Sequence, residues 1–263
     1  MDGRAATSWI VAAAALIAGV VVLDVARRAL RPAPPSTTPT ASPVAVPPPP
    51  SAGRVSQSGS GPASAPGIGY TEQLARSEIR RRIRANAGLT YLDHVVETSG
   101  DSMLHRWDRR TPDAVRVYLG EGRPPTYRPE FGDAVRTAFR QWETAGVPLH
   151  FVFLADSTAA DVRIGWRIQF EIERTAQTDL TWNADGQFES GTVTFALFDP
   201  QGRPMEGDDI RVVALHEIGH LLGLDHSPDS ADIMFPVAKI RDLSERDIRS
   251  ALLLYDLPPG SLR

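Results

Sequence analysis

Residues 5–23 contain no charged side chain and are dominated by Ala, Val, Ile and Leu. As a helix rising about 1.5 Å per residue, such a run nearly spans the hydrocarbon of a bilayer. With Arg4 ahead of it, it predicts a signal anchor or a signal peptide. Asp24, Arg27 and Arg28 crowd the zone where cleavage needs small residues, which favours an uncleaved anchor. The apolar pattern then stops. Residues 31–69 are built from Pro, Ser, Thr, Ala and Gly, and half of the 22 prolines fall between Pro32 and Pro66. A stretch this poor in large apolar groups cannot bury a core, so it predicts a linker, with polyproline character at 47–50. Over 70–87 a thin stripe of Leu74, Ile79 and Ile83 runs among Arg76, Arg80, Arg81, Arg82 and Arg84. That spacing predicts a helix closed by Asn86-Ala87-Gly88. It is a candidate pro-segment or membrane-surface helix, or a solvated helix with one edge on the domain that follows.

Further on, short alternating runs give way to helical periods. Residues 114–119, 149–154 and 161–166 have strand character, and 130–144 place Phe131, Val135, Ala138, Phe139 and Trp142 at helical spacing. Residues 178–182 and 191–198 flank Asn183-Ala184-Asp185-Gly186 and predict a hairpin. Asp208 or Asp209 is placed to cap a helix through Leu222 that Gly223 stops. A last helix opens at Ser244, with Glu245 and Asp247 in its first turn, and runs to Tyr255. A few strands followed by late helices is an α/β (α+β) layout. The expected organisation is an N-terminal anchor or signal peptide (1–30), a linker (31–69), a helical segment (70–102) and a folded domain (103–263).

Composition narrows the classes. The formal charge of −4 and the lack of a basic patch with interleaved aromatics give nucleic-acid binding no support. The chain has no cysteine, which excludes disulfides, thiolate ligands and a cysteine nucleophile.

The candidate chemistry lies in the run from His216 to His226, HEIGHLLGLDH. His216 and His220 are four apart on a predicted helix, so both imidazoles leave one face. Gly223 permits positive φ, and the turn it makes returns His226 to the same point. Three neutral imidazoles suit Zn²⁺ and leave a fourth position for water. Glu217 is adjacent and is the candidate general base for an attacking water. His94, His105 and His150 have no ligand spacing, and no nucleophile-elbow motif supports a Ser-His-Asp site.

The same residues resemble the extended zinc motif of the metzincins. Ser227, directly after the third histidine, resembles the matrixin branch, and Ile233-Met234-Phe235-Pro236 is similar to its Met-turn. The likeness extends over residues 103–257. It implies a twisted, mixed five-stranded sheet with three helices, an active-site cleft, and a metalloendopeptidase cutting extended polypeptides beside an edge strand near residues 175–182. By resemblance, Met234 lies beneath the zinc ligands and Pro236 belongs to the wall of the pocket that takes the residue after the scissile bond, while Gly223 shapes the site. No histidine lies between His150 and His216, so one catalytic zinc is expected without the family's histidine-bound structural zinc. Ca²⁺ has no recognisable loop, although Asp179, Asp185, Asp199, Asp208 and Asp209 are available oxygens. Latency without a cysteine requires another ligand, for which 93–101 is the candidate segment. The chain is expected to be a monomer, membrane-anchored by its single N-terminal helix with the catalytic domain outside the cytoplasm, or secreted. Arg27, Arg28 and Arg31 oppose that orientation by the positive-inside rule, while long downstream domains can cross regardless of such a bias, so the sequence leaves the orientation open. Two other classes fit the motif: a membrane-tethered, non-catalytic zinc-binding protein, and a hydrolase of non-peptide amides.

Overall fold

The alternation at residues 114–119 makes a strand with Val115, Val117 and Leu119 buried and Arg116 exposed. The computed structural model describes residues 69–98, 103–108, 114–120, 124–258 and 260–262. The expected membrane segment and proline-rich linker lie outside these residues. Among the described residues, no helix is long and apolar enough to cross a membrane. The element order is α1 (Tyr70–Ala85), α2 (Leu92–Thr98), β1 (Met103–Leu104), β2 (Val115–Leu119), α3 (Pro129–Thr144), β3 (Phe151–Leu154), β4 (Val162–Arg167), β5 (Ala176–Trp182), β6 (Phe188–Ala196), α4 (Gly207–Leu222), α5 (Glu245–Asp256) and β7 (Gly260–Ser261).

Five strands form one sheet in the order β3-β2-β4-β6-β5. The β2, β3, β4 and β6 pairings are parallel, and β5 returns antiparallel on β6 to make one edge. This is the mixed five-stranded sheet with helices that the resemblance implied, and it bears out the α/β layout read from the pattern. The hairpin turn uses Gly186 at φ 79°, and a Cβ there would meet the Leu104 carbonyl at 2.6 Å. Residues Val117, Val162, Ile164, Val193 and Phe195 face the helices and are buried. α3 lies against α4, where Trp142 is fully buried and its indole N–H donates to the Leu215 carbonyl at 3.0 Å. α4 is apolar nearly all round because it is enclosed on nearly every side, with 11 consecutive residues from Val212 to Leu222 buried.

Two details differ from the sequence pattern, while α1 sits with one edge on the domain, as one of its expected readings had it. Neither Asp208 nor Asp209 caps α4: Glu206 is the cap residue, and Asp209, three residues on, accepts from the Glu206 backbone N–H at 3.2 Å. α2, β1 and β7 were not expected, being too short to carry a period. α1 packs on the domain through Ile79 and Ile83 while Leu74 stays exposed, and Arg82 pairs with Asp256 at the end of α5. α1 and α2 are therefore packed against the folded domain, with Tyr91 and Leu92 almost fully buried.

Candidate active site

α4 carries His216 and His220 one turn apart, and both are buried. Gly223 then ends the helix at φ 100°, with its own N–H on the His220 carbonyl at 2.9 Å. The glycine is needed for space as well as for φ, since a Cβ would lie 2.0 Å from the His105 carbonyl oxygen. The turn brings His226 back, so that one ligand atom from each of His216, His220 and His226 lies within 4.8 Å of the others. Ring centroids are 4.8–5.4 Å apart. The Nδ1–H of His216 donates to the Ile233 carbonyl at 2.7 Å and that of His220 to the Leu224 carbonyl at 2.8 Å. A carbonyl only accepts, so these bonds fix the tautomer and leave both Nε2 lone pairs facing the centre.

The donor set fits a zinc ion. His226 Nε2 and Glu217 Oε1 are buried and have no hydrogen-bond partner. Burial holds His216 down to about 3 and pushes His220 well below the usual imidazole range, and it lowers His226 too. All three rings are thus neutral near pH 7, the state a metal requires. Among the described residues, this is the one group of three or more His, Asp or Glu side chains that converges in this way. Four of the five acids weighed for calcium have other partners: Asp199 accepts from Arg203, Asp208 and Asp209 from Arg241, and Asp179 from Gln177.

Glu217 is wholly buried beside the trio, and desolvation raises its carboxyl to about 7. Thr178 on the edge strand opposes that rise by donating to Glu217 Oε2 at 2.5 Å. One carboxylate oxygen is therefore held while the other is free to accept a proton. The sequence offered no signal for Thr178, which meets Glu217 only because β5 packs on α4.

Met234 lies under the site. A Cβ on Gly219 would come within 2.2 Å of the Met234 sulfur, so the methionine packs directly on the backbone between the two helical ligands. Pro236 is half-buried, and of the segment after it Ala238 and Arg241 line a cavity beside α4. The Met-turn is tied to α5 by Asp247, whose Oδ2 accepts from the Ile233 and Ser244 backbone N–H groups at 2.8 Å. Asp232 joins in, accepting from Ser244 Oγ at 2.7 Å and from the Ser227 hydroxyl. Tyr91 completes the network by donating to Asp247 Oδ1 at 3.0 Å. The sequence pattern had placed Asp247 only as a first-turn helix acid. Asp93, in the segment considered for latency, sits in the first turn of α2, and Asp101 is outside the described residues.

The Matrixin family model matches residues 106–256. The chain is 31% identical over 137 residues to Metalloendoproteinase 1-MMP of Arabidopsis thaliana, covering 47% of this chain and 37% of that protein. It is 31% identical over 148 residues to Matrix metalloproteinase-15 of Homo sapiens, covering 49% and 22%. It is 27% identical over 172 residues to Karilysin of Tannerella forsythia, covering 58% and 34%. The matched part thus spans only 22–37% of the length of these relatives.

Proposed function

Since the chain belongs to the matrixin family, we propose that it is a zinc-dependent endopeptidase in which His216, His220 and His226 hold one metal ion and Glu217 is the general base. The convergence of three neutral imidazoles within 4.8 Å carries this reading. Zinc bound there supplies Lewis acidity, which acidifies a water and polarises the scissile carbonyl. Glu217 takes the proton of the attacking water at Oε1 and delivers it to the departing amine. Its raised affinity for a proton, near the working pH, suits both halves of that transfer. Thr178 keeps the second oxygen in place. The Ile233 and Leu224 carbonyls orient the first two ligands, while Gly223 supplies the turn and Met234 the floor.

The substrate is a polypeptide laid in extended form along β5, whose outer edge pairs with no other strand among the described residues. Main-chain hydrogen bonds to that edge hold it irrespective of sequence. The residue after the scissile bond points toward the wall that follows Pro236. The uncharged run at 5–23 supports a membrane tether with residues 31–69 as its spacer, and in this reading the domain lies outside the cytoplasm. Protease accessibility of that spacer in intact cells tests the placement.

The decisive comparison for the activity is wild type against Glu217→Ala on a casein-type substrate. Wild type is expected to cleave and to lose activity with a chelator, whereas Glu217→Ala is expected to be inert while retaining about one zinc per chain. Equal inertness of both on a broad peptide library would leave the non-catalytic zinc-binding protein as the better account.

A further inference from the structure

The loop between β4 and β5 holds a buried arginine with no acid against it. Arg174 is 4% exposed, and its Nε–H is buried without an acceptor. One terminal nitrogen donates to Gln177 Oε1 at 2.7 Å, and Gln177 Nε2 donates in turn to Asp179 at 2.8 Å. The guanidinium thus meets a neutral amide where an acid is expected. Among the described residues, neither Arg174 nor Arg167, the last residue of β4, has a carboxylate at ion-pair distance. A charge enclosed with neutral partners is costly unless an anion joins it.

The two arginines share one site. The Arg167 guanidinium stands 4.4 Å from the centre of the Phe170 ring and that of Arg174 5.6 Å from it. All three side chains line a cavity of about 300 Å³, together with Ile172, Gln177 and the exposed Glu171. Two cations at one ring repel each other, which an anion between them relieves. The cavity adjoins the cleft, because Gln177 precedes Thr178, the residue that holds Glu217. Desolvation raises the Glu217 carboxyl and the Arg174 charge opposes that rise, which places the guanidinium near the candidate base. It lies toward the start of β5, and Thr175, directly after it, lines the cavity behind the segment that follows the Met-turn. That end of the strand meets the substrate after the scissile bond.

We propose that Arg174 and Arg167 form a carboxylate-binding subsite for the substrate chain beyond the scissile bond. The carboxylate belongs either to an acidic side chain or to the end of a peptide that stops there. The proposal rests on the peptidase reading above. At about 3.3 Å per extended residue, the step back from Thr178 to Arg174 spans about 13 Å, which sets the carboxylate on the second to fourth residue after the bond. Guanidinium suits the task, since its fork of N–H donors grips a carboxylate with two parallel bonds.

The test uses the full chain loaded with zinc and two sets of peptides. One set carries Glu or Gln at the second, third or fourth residue after the scissile bond. The other has no acidic side chain and ends at one of those residues with a free or an amidated terminus. Wild type is expected to favour the carboxylate in at least one set by roughly tenfold in kcat/KM, the scale of a charged hydrogen bond. A preference for Glu assigns the subsite to acidic side chains, and a preference for the free terminus assigns it to peptide ends. Arg174→Gln is expected to bring the ratio close to one, and Arg174→Lys, which keeps the cation without the fork, to retain part of it. Arg167→Gln, at an exposed position, should lower the ratio roughly threefold, and added salt should shrink it in wild type. A ratio taken on one protein does not depend on the fraction folded, so a poorly folding variant still answers. Binding of the same peptides to zinc-loaded Glu217→Ala, read as Kd, should show the same preference without turnover. A wild type indifferent to both charges, or a ratio unchanged in both Arg174→Gln and Arg167→Gln, overturns the proposal. A wild type that cleaves no peptide overturns the peptidase reading instead, and the Kd ratio then decides the subsite alone.

Discussion

Tyr91→Phe isolates one bond in the support of the metal site. Tyr91 is 1% exposed and its hydroxyl donates to Asp247 Oδ1 at 3.0 Å. Asp247 holds the Ile233 N–H at 2.8 Å, and the Ile233 carbonyl accepts from His216 Nδ1 at 2.7 Å. The substitution removes one donor from a buried carboxylate without opening a cavity. A hydrogen bond to a charged group contributes about 1.5–3 kcal/mol, and the remaining donors on Asp247 place the expected loss near 2 kcal/mol. For a domain of this size that lowers Tm by roughly 4–8 °C. Urea unfolding of zinc-loaded and chelated protein measures it. The visible spectrum of the cobalt-substituted protein then separates positioning from bulk stability. Tyr91→Phe should alter the spectrum, because Ile233 orients His216, whereas Leu92→Ala should cost a cavity's worth of stability and leave it unchanged. A loss below about 0.5 kcal/mol with an unaltered spectrum would refute the reasoning. So would a chain beginning after Thr98 that kept full stability and zinc, an outcome that would favour residues 70–102 as a removable pro-segment.

Two further outcomes follow from the same geometry. Thr178→Val removes the donor that lowers the Glu217 pKa, so the acid limb of the kcat/KM profile should move to higher pH by about one unit, and Thr178→Ser should restore it. A limb that stays put or moves down would show that the hydroxyl does not act on the base. In chelated protein, His216 and His220 stay neutral in the fold but take up protons when unfolded below about pH 6.5. The unfolded state then binds more protons, so stability is lost as pH falls through that value, with a slope of up to about 3 kcal/mol per pH unit from the two rings. The urea midpoint between about pH 7 and pH 5 measures this, and His216→Gln/His220→Gln should flatten the slope. An equal slope in the double variant would assign the acid sensitivity to the carboxylates instead.

What the sequence revealed and what it concealed divide along the range of the interactions. His216, Glu217, His220, Gly223 and His226 were legible because helix period and one left-handed turn fix their relative positions within 11 residues. The strands at 114–119 and 161–166 were legible for the same reason, as alternation is a local property. Thr178 and Tyr91 carry no such mark. Thr178 reaches Glu217 across 39 positions and Tyr91 reaches Asp247 across 156, so their roles exist only once β5 lies on α4 and α2 lies on α5. Asp247 is the instructive intermediate. Its place three residues after Ser244 correctly announced the start of α5, where Ser244 Oγ accepts from its N–H at 3.0 Å. That local job uses the carboxylate's bond to the Ser244 N–H and leaves further acceptor sites for Ile233, Met234 and Tyr91. A capping residue becomes the joint between the last helix, the Met-turn and the N-terminal segment because a carboxylate accepts more bonds than a cap needs. The same surplus explains why Asp247 is buried with no arginine at ion-pair distance among the described residues: backbone and hydroxyl donors satisfy it.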